Sequence, residues 1–313
     1  MTYQHAFILD SPTGARISTR HQPAVGGARA IFLLSHGLAE HSRRYGRFAE
    51  VLAARGYHVY GFDHRGHGMT SAPDAERGRF AKRDGETKVL ADLRTVREYA
   101  ELRHPGLPVI LFGHSMGGVI AACAAEVEPH AYQGLCIWNS QLNPGLAGKA
   151  GLLLVKAERF FKGSDVPSFF GQRLVLDSWA KSIPGARTGF DWLSHDEREV
   201  DIYIADPQCG FACSVSLWID LLDMSTSAGL DQSLSKLPKS LAINLVGGGE
   251  DPATENGRAM EWLAARLKRH GITNVHLTIY PTMRHETLNE HDRDDAMKAL
   301  ADWADSVAAR HRV

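Results

Sequence analysis

The sequence predicts an α/β fold, with a mostly parallel central sheet, helices on both faces and one helical segment inserted late in the chain. Three observations predict it. Short apolar runs alternate with longer amphipathic stretches, the rhythm of βαβ units. Several of those runs are apolar throughout, as strands covered on both faces are. The rhythm breaks once, between about Gln141 and Leu230, over a stretch too long for a simple loop.

Taken in order, Ala6 to Leu9 and Arg16 to Thr19 read as a short antiparallel hairpin around Pro12 and Gly14. Ala30 to Leu34, His58 to Phe62, Val109 to Phe112, Gly134 to Trp138, Leu241 to Val246 and Val275 to Tyr280 read as strands. Between them, Tyr45 to Arg55 carries Phe48, Val51 and Leu52 on one face. Glu86 to Leu102 carries Val89, Leu90, Leu93, Val96 and Tyr99 at three-to-four spacing. Thr254 to Arg269 and Asp292 to Ala309 repeat that pattern. The inserted stretch holds helical pieces punctuated by Pro and Gly, and no buried strand stands out in it. It is expected to form a small helical lid, residues 141–225, on a core made of residues 1–140 and 226–313.

Composition narrows the class. With 44% hydrophobic and 23% charged residues the chain is an ordinary globular one, and its length suits one domain with an insertion. A net charge of -1 leaves no excess of Lys and Arg for phosphates, so nucleic acid is not an expected partner. Cys123, Cys136, Cys209 and Cys213 are too scattered for a disulfide framework. The C-x-x-x-C pair has no second Cys/His pair beside it in sequence, so no zinc site is expected. Without a signal segment or a long apolar span, a cytoplasmic location is expected.

The chemistry is carried by Gly113-His114-Ser115-Met116-Gly117, which fits G-x-S-x-G between the strand-like PVILF and the helix-like VIAACAAE. A serine on such a tight strand-to-helix turn is exposed beyond the sheet, and the glycines avoid collisions there. A hydroxyl needs a base to become a nucleophile. His285, in a turn after the strand ending at Tyr280, is that base; His270, His276 and His291 are less well placed. Asp251, after the run LAINLVGGG, is the acid that orients the imidazole, with Glu250 as its immediate competitor. The amides of Met116 and Leu38 are expected to form the oxyanion hole. His36 is expected to shape that loop rather than carry protons. Asp63 and Arg65, in the tight loop Asp63 to Gly68, are expected to tie neighbouring loops together. The His64/His67 pair there lacks a ligand set for a metal.

HGLAEHSRRY (36–45), FDHRGHGMTS (62–71), GHSMGG (113–118), the Asp251 loop and MRHE around His285 occur in order over most of the chain. Together they resemble the monoacylglycerol lipase and lysophospholipase-like α/β-hydrolases, the "serine aminopeptidase" hydrolase group. The resemblance implies a serine carboxylic-ester hydrolase acting through an acyl-serine intermediate on medium-to-long acyl esters, with no metal or organic cofactor. It also implies a lid that forms the acyl pocket and is capable of transient contact with membrane surfaces. Leu152 to Val155, Phe160, Phe161, Phe169 and Phe170 make the lid apolar. Most are expected to pack it on the body, and Lys156, Glu158, Arg159 and Lys162 mix signs rather than forming a basic face. Two other readings stay open. One is a peptidase or amidase with the same triad, holding an N-terminal amine on Asp196, Glu197 and Glu199. The other is a ligand-binding protein that keeps the fold. Oligomeric state is not legible.

Overall fold

A computed structural model describes residues 3–311. Eight strands form one sheet: β1 (Ala6–Asp10), β2 (Arg16–Gln22), β3 (Ala30–Ser35), β4 (Tyr57–Phe62), β5 (Val109–His114), β6 (Gly134–Trp138), β7 (Ala242–Gly248) and β8 (Val275–Tyr280). Their order is β1-β2-β4-β3-β5-β6-β7-β8. β1 pairs antiparallel with β2 and β2 antiparallel with β4; every later pairing is parallel. This is the expected α/β-hydrolase architecture. β3, β5, β6 and β7 are buried along their whole length, which explains their largely apolar sequences.

The helices, in chain order, are α1 (Gly46–Ala54), α2 (Gly85–Arg103), α3 (Met116–Val127), α4 (Gly145–Lys162), α5 (Phe169–Gly171), α6 (Asp177–Lys181), α7 (Glu197–Ala205), α8 (Val215–Ala228), α9 (Asp231–Leu234), α10 (Arg258–Arg269) and α11 (Arg293–Arg310). α1 and α11 cover one sheet face, through Phe48, Leu52, Met297 and Leu300. α2, α3, α8 and α10 cover the other, through Leu93, Ile120, Leu217 and Leu263. The expected helix from Thr254 begins instead at Arg258. Glu255, Asn256 and Gly257 adopt left-handed backbone (φ 54°, 60° and 86°), which no α-helix accommodates.

Register places the functional loops. Ser35 pairs with Phe62 and with Gly113, His114 with Trp138, and Trp138 with Val246. The carboxyl ends of β3, β5, β6 and β7 are therefore level, and the loops that follow them converge at one edge.

α4 to α9 lie between β6 and β7, and α8 packs back onto α2 and α3. Two expectations about this segment are corrected. Of the eight apolar residues expected mostly to pack inward, five are exposed: Phe160 (84%), Phe161 (81%), Leu153 (69%), Phe169 (55%) and Leu154 (41%). Nor does the outer face of α4 mix signs. Glu158 is turned in, where it accepts from the Phe169 amide at 2.8 Å and from Ser168 Oγ at 2.8 Å. Lys149, Arg159 and Lys162 stay exposed. No helix among the described residues is long and apolar enough to cross a membrane.

Candidate active site

Ser115 sits between β5 and α3 with φ 54° and ψ −119°, a strained backbone that costs on the order of 1–3 kcal/mol and persists only where its surroundings impose it. The glycines make the turn possible. A Cβ on Gly113 would lie 2.1 Å from the Gly117 carbonyl oxygen, and one on Gly117 2.1 Å from that of Ser35. The turn is pinned by the Ser115 amide donating to the Trp138 carbonyl (2.8 Å) and by Ser140 Oγ donating to the Ser115 carbonyl (2.8 Å). Met116 begins α3, so its amide is one of the helix's unsatisfied N–H groups. Leu38 and Met116 both line the cavity that contains Ser115.

His285 and Asp251 come together as the sequence predicts. His285 Nδ1 lies 3.0 Å from each carboxylate oxygen of Asp251. Asp251 is fully buried and also accepts from the Ala253 amide (2.9 Å), Thr254 Oγ1 (2.8 Å) and Asn139 Nδ2 (3.1 Å). Burial alone would raise its pKa; His285 and these donors outweigh it and hold the carboxyl below its usual value. The competitor, Glu250, faces outward and meets His195 Nε2 at 3.1 Å. Of the other histidines, His291 is exposed and His276 lies on β8.

His36 has the organising role expected of it. Its Nδ1 lies 2.8 Å from the Gly37 carbonyl oxygen and its Nε2 accepts from the His64 amide at 3.0 Å. Burial lowers its pKa, so the ring is held neutral. Asp63 accepts from Ser42 and Met69 amides, and Arg65 donates to the Phe80 carbonyl at 2.9 Å and to Thr13 Oγ1 at 3.0 Å, so both tie loops together as expected.

Three groups escaped the sequence reading. Asn139, with φ 49°, bridges Asp251 and Thr287. Behind the Leu38 loop, Glu40 accepts from the Gly37 amide (2.6 Å), Tyr45 hydroxyl (2.8 Å) and Arg44 (2.6 Å), and Arg44 clasps Glu286 with both terminal nitrogens at 2.6 and 2.7 Å. Burial opposes a charge on His114, but Glu40 beside it outweighs that and raises its pKa. The four-residue spacing of Glu40 and Arg44 was a local signal for half of this network; nothing local pointed to Glu286. Finally, Trp179 and Trp192 flank His285, with ring centroids 6.2 and 4.9 Å away.

Two cavities meet at Ser115. One, of about 360 Å³, is lined by His285, Leu38, Glu40, Tyr203 and Glu286 among others. The other, of about 480 Å³, is walled mainly by apolar residues of the inserted segment, including Leu154, Val155, Phe170, Leu174 and Leu222. Trp179, Trp218 and Leu221 border both. Asp196, Glu197 and Glu199 line neither; Asp196 caps α7 and pairs with Arg293 at 2.9 Å, and Glu199 pairs with Arg47 at 2.8 Å.

The family model described as serine aminopeptidase, S33, matches residues 26–292. A monoacylglycerol lipase of Mycolicibacterium smegmatis is 29% identical over 286 residues, covering 88% of each chain. A monoglyceride lipase homolog of Monkeypox virus is 32% identical, covering 88% of this chain and 89% of its own. A thermostable carboxyl esterase from Bacillus coagulans superposes with a TM-score of 0.89 at 23% identity, covering 97% of this chain and 98% of its own, a likeness of fold.

Proposed function

This chain belongs to the serine aminopeptidase S33 family of α/β-hydrolases, and on that premise we propose that it hydrolyses medium-to-long acyl esters, monoacylglycerols foremost. The observation that carries the reading is the pair of mainly apolar cavities meeting at Ser115, of which only the smaller also carries His285, Glu40 and Glu286. In this reading Ser115 attacks the ester carbonyl, His285 takes its proton and passes it to the leaving alcohol, and Asp251 holds the imidazole tautomer. The amides of Leu38 and Met116 receive the oxyanion; such a donor is worth about 10²–10³ in kcat. His285, which protonates the leaving alcohol, lines only the smaller cavity, so in this reading the alcohol leaves there and the acyl chain lies in the larger one. Water then releases the acyl group by the same proton relay.

Peptide hydrolysis is less well supported. The acidic residues suited to an N-terminal amine, Asp196 and Glu199, are spent on Arg293 and Arg47 outside the cavities. An intact His285–Asp251 contact argues against a purely ligand-binding role.

The acyl assignment has a direct test. Each buried CH₂ is worth ~0.8 kcal/mol, about fourfold in kcat/KM. Activity on monoacylglycerols is expected to climb with chain length until the apolar cavity is full. Gly151 lines that cavity, and a Cβ placed on it meets nothing within 4 Å. Gly151→Phe is therefore expected to shift the optimum to shorter chains while short-chain turnover holds. An unchanged length profile would place the acyl chain elsewhere.

We assign residues 141–225 as a lid over the core (1–140 and 226–313) and propose that it touches lipid surfaces transiently. Leu146, Leu153 and Phe160 recur every seven residues on α4, hence on one face, and all are exposed, flanked by Lys149, Arg159 and Lys162. An apolar stripe edged by cations suits an anionic interface. Phe160→Asp combined with Phe161→Asp is expected to lower cosedimentation with phosphatidylglycerol vesicles. Equal sedimentation of both proteins would remove this contact from the lid.

A further inference from the structure

Outside the Ser115 constellation, the fold brings His41 to two ligand-type side chains of one turn, the nearer of them 165 residues later in the chain. His41, from the loop after β3, meets Asp206 and Cys209, from the turn after α7. The ligating atoms of the three all lie within 4.8 Å of one another. We propose that His41, Asp206 and Cys209 form a binding site for a borderline divalent cation of the zinc type. The site is independent of the esterase reading.

The turn presents these groups deliberately. Asp206 Oδ1 accepts from the Gln208 amide at 2.8 Å, and the Asp206 carbonyl accepts from the Cys209 amide at 2.9 Å, which folds Cys209 back toward His41. The turn is itself docked on the β3 loop, because the Gly210 amide and the Tyr203 hydroxyl both donate to the Ala39 carbonyl, at 2.9 and 3.0 Å. His41 is 2% exposed, its Nε2 lies 2.9 Å from Asp206 Oδ2, and its Nδ1 is buried without a partner. The Asp206 side chain keeps 30% of its surface exposed and provides the way in.

The donor set fits. Zinc takes thiolate at about 2.3 Å, imidazole at about 2.0–2.1 Å and carboxylate at about 2.0–2.2 Å, so ligating atoms on one tetrahedral ion lie roughly 3.2–3.6 Å apart. The His41–Asp206 separation needs to open by only a few tenths of an ångström, and Cys209 Sγ lies within 4.8 Å of both partners. On binding, the metal forms bonds to Cys209 Sγ, Asp206 Oδ2 and His41 Nε2. The thiol proton goes to solvent and the imidazole proton moves to the unpartnered Nδ1. Water completes the fourth position. An ion there ties the loop that carries Leu38 to the turn whose Gly210 and Phe211 wall the smaller cavity.

Cobalt(II) added alone to the reduced full-length protein tests the site. A near-ultraviolet sulfur-to-cobalt charge-transfer band saturating at one equivalent is expected. The band should vanish in Cys209→Ser, weaken in Asp206→Asn and persist in Cys213→Ser, with circular dichroism confirming that each variant folds. His21, His58 and His104 also gather within ligating distance but hold no sulfur, so cobalt bound there would not give this band. Absence of the band in the wild type, or its survival in Cys209→Ser, overturns the proposal.

Discussion

Ser115→Ala is expected to lower kcat/KM toward acyl esters by about 10⁴-fold or more, and to abolish labelling by a fluorophosphonate. The size follows from what remains. Removing a nucleophile that acts in one unit with its base leaves only the oxyanion donors and substrate binding, worth about 10³–10⁴ over water. The fold should survive. Alanine keeps the Cβ that already sits at φ 54°, so no backbone strain is added. The pinning bonds at this turn involve the Ser115 amide and carbonyl, which the substitution leaves in place. The melting curve should therefore shift by no more than about 1 kcal/mol in stability. Wild-type turnover by a folded Ser115→Ala protein would remove the residue from the chemistry.

The second large effect is expected at Asp251. Asp251→Asn should reduce kcat by about 10³–10⁴, because an amide in place of the carboxylate favours the wrong imidazole tautomer and cannot stabilise the imidazolium. It also turns an N–H₂ group toward donors, since Asn139 Nδ2, Thr254 Oγ1 and the Ala253 amide all point at this side chain. The same contacts give the stability effect a sign. The folded carboxyl is held below its ordinary value of 3.8, so its stabilising contribution is full above that pH and is lost as the pH falls through the folded value. Wild type should be more stable than Asp251→Asn at neutral pH, with the gap narrowing in strong acid, as denaturant titrations at several pH values would read. Glu250→Gln is the contrast: Glu250 bonds His195 rather than His285, so activity should stay within a few fold. A large loss there with an active Asp251→Asn would exchange their roles.

Ser115, Asp251 and His285 were legible because each rests on a local pattern. A strand run ends, a turn residue follows, and a parallel sheet puts all such ends at one edge. Helix boundaries were less legible where backbone geometry overrides periodicity. The apolar pattern from Thr254 is real, but three consecutive left-handed residues delay α10 to Arg258. The inserted segment is helical, as its pattern suggests, yet the direction that several side chains of α4 and α5 face was not legible. Periodicity tells which residues share a helix face; it does not tell whether that face meets protein or solvent. Phe160 and Phe161 are therefore exposed where packing was expected, and Glu158 is buried where a surface charge was expected.

The sequence by itself marked the strands, the turn at Ser115 and the chain order of its expected partners, because apolar runs and turn residues are patterns of near neighbours in the chain. Only the tertiary structure decided the rest. Asn139 meets Asp251 across 112 residues, Arg44 clasps Glu286 across 242, and His41 faces Asp206 across 165. Such contacts depend on how rigid elements pack at their ends, and no local pattern along the chain encodes that distance.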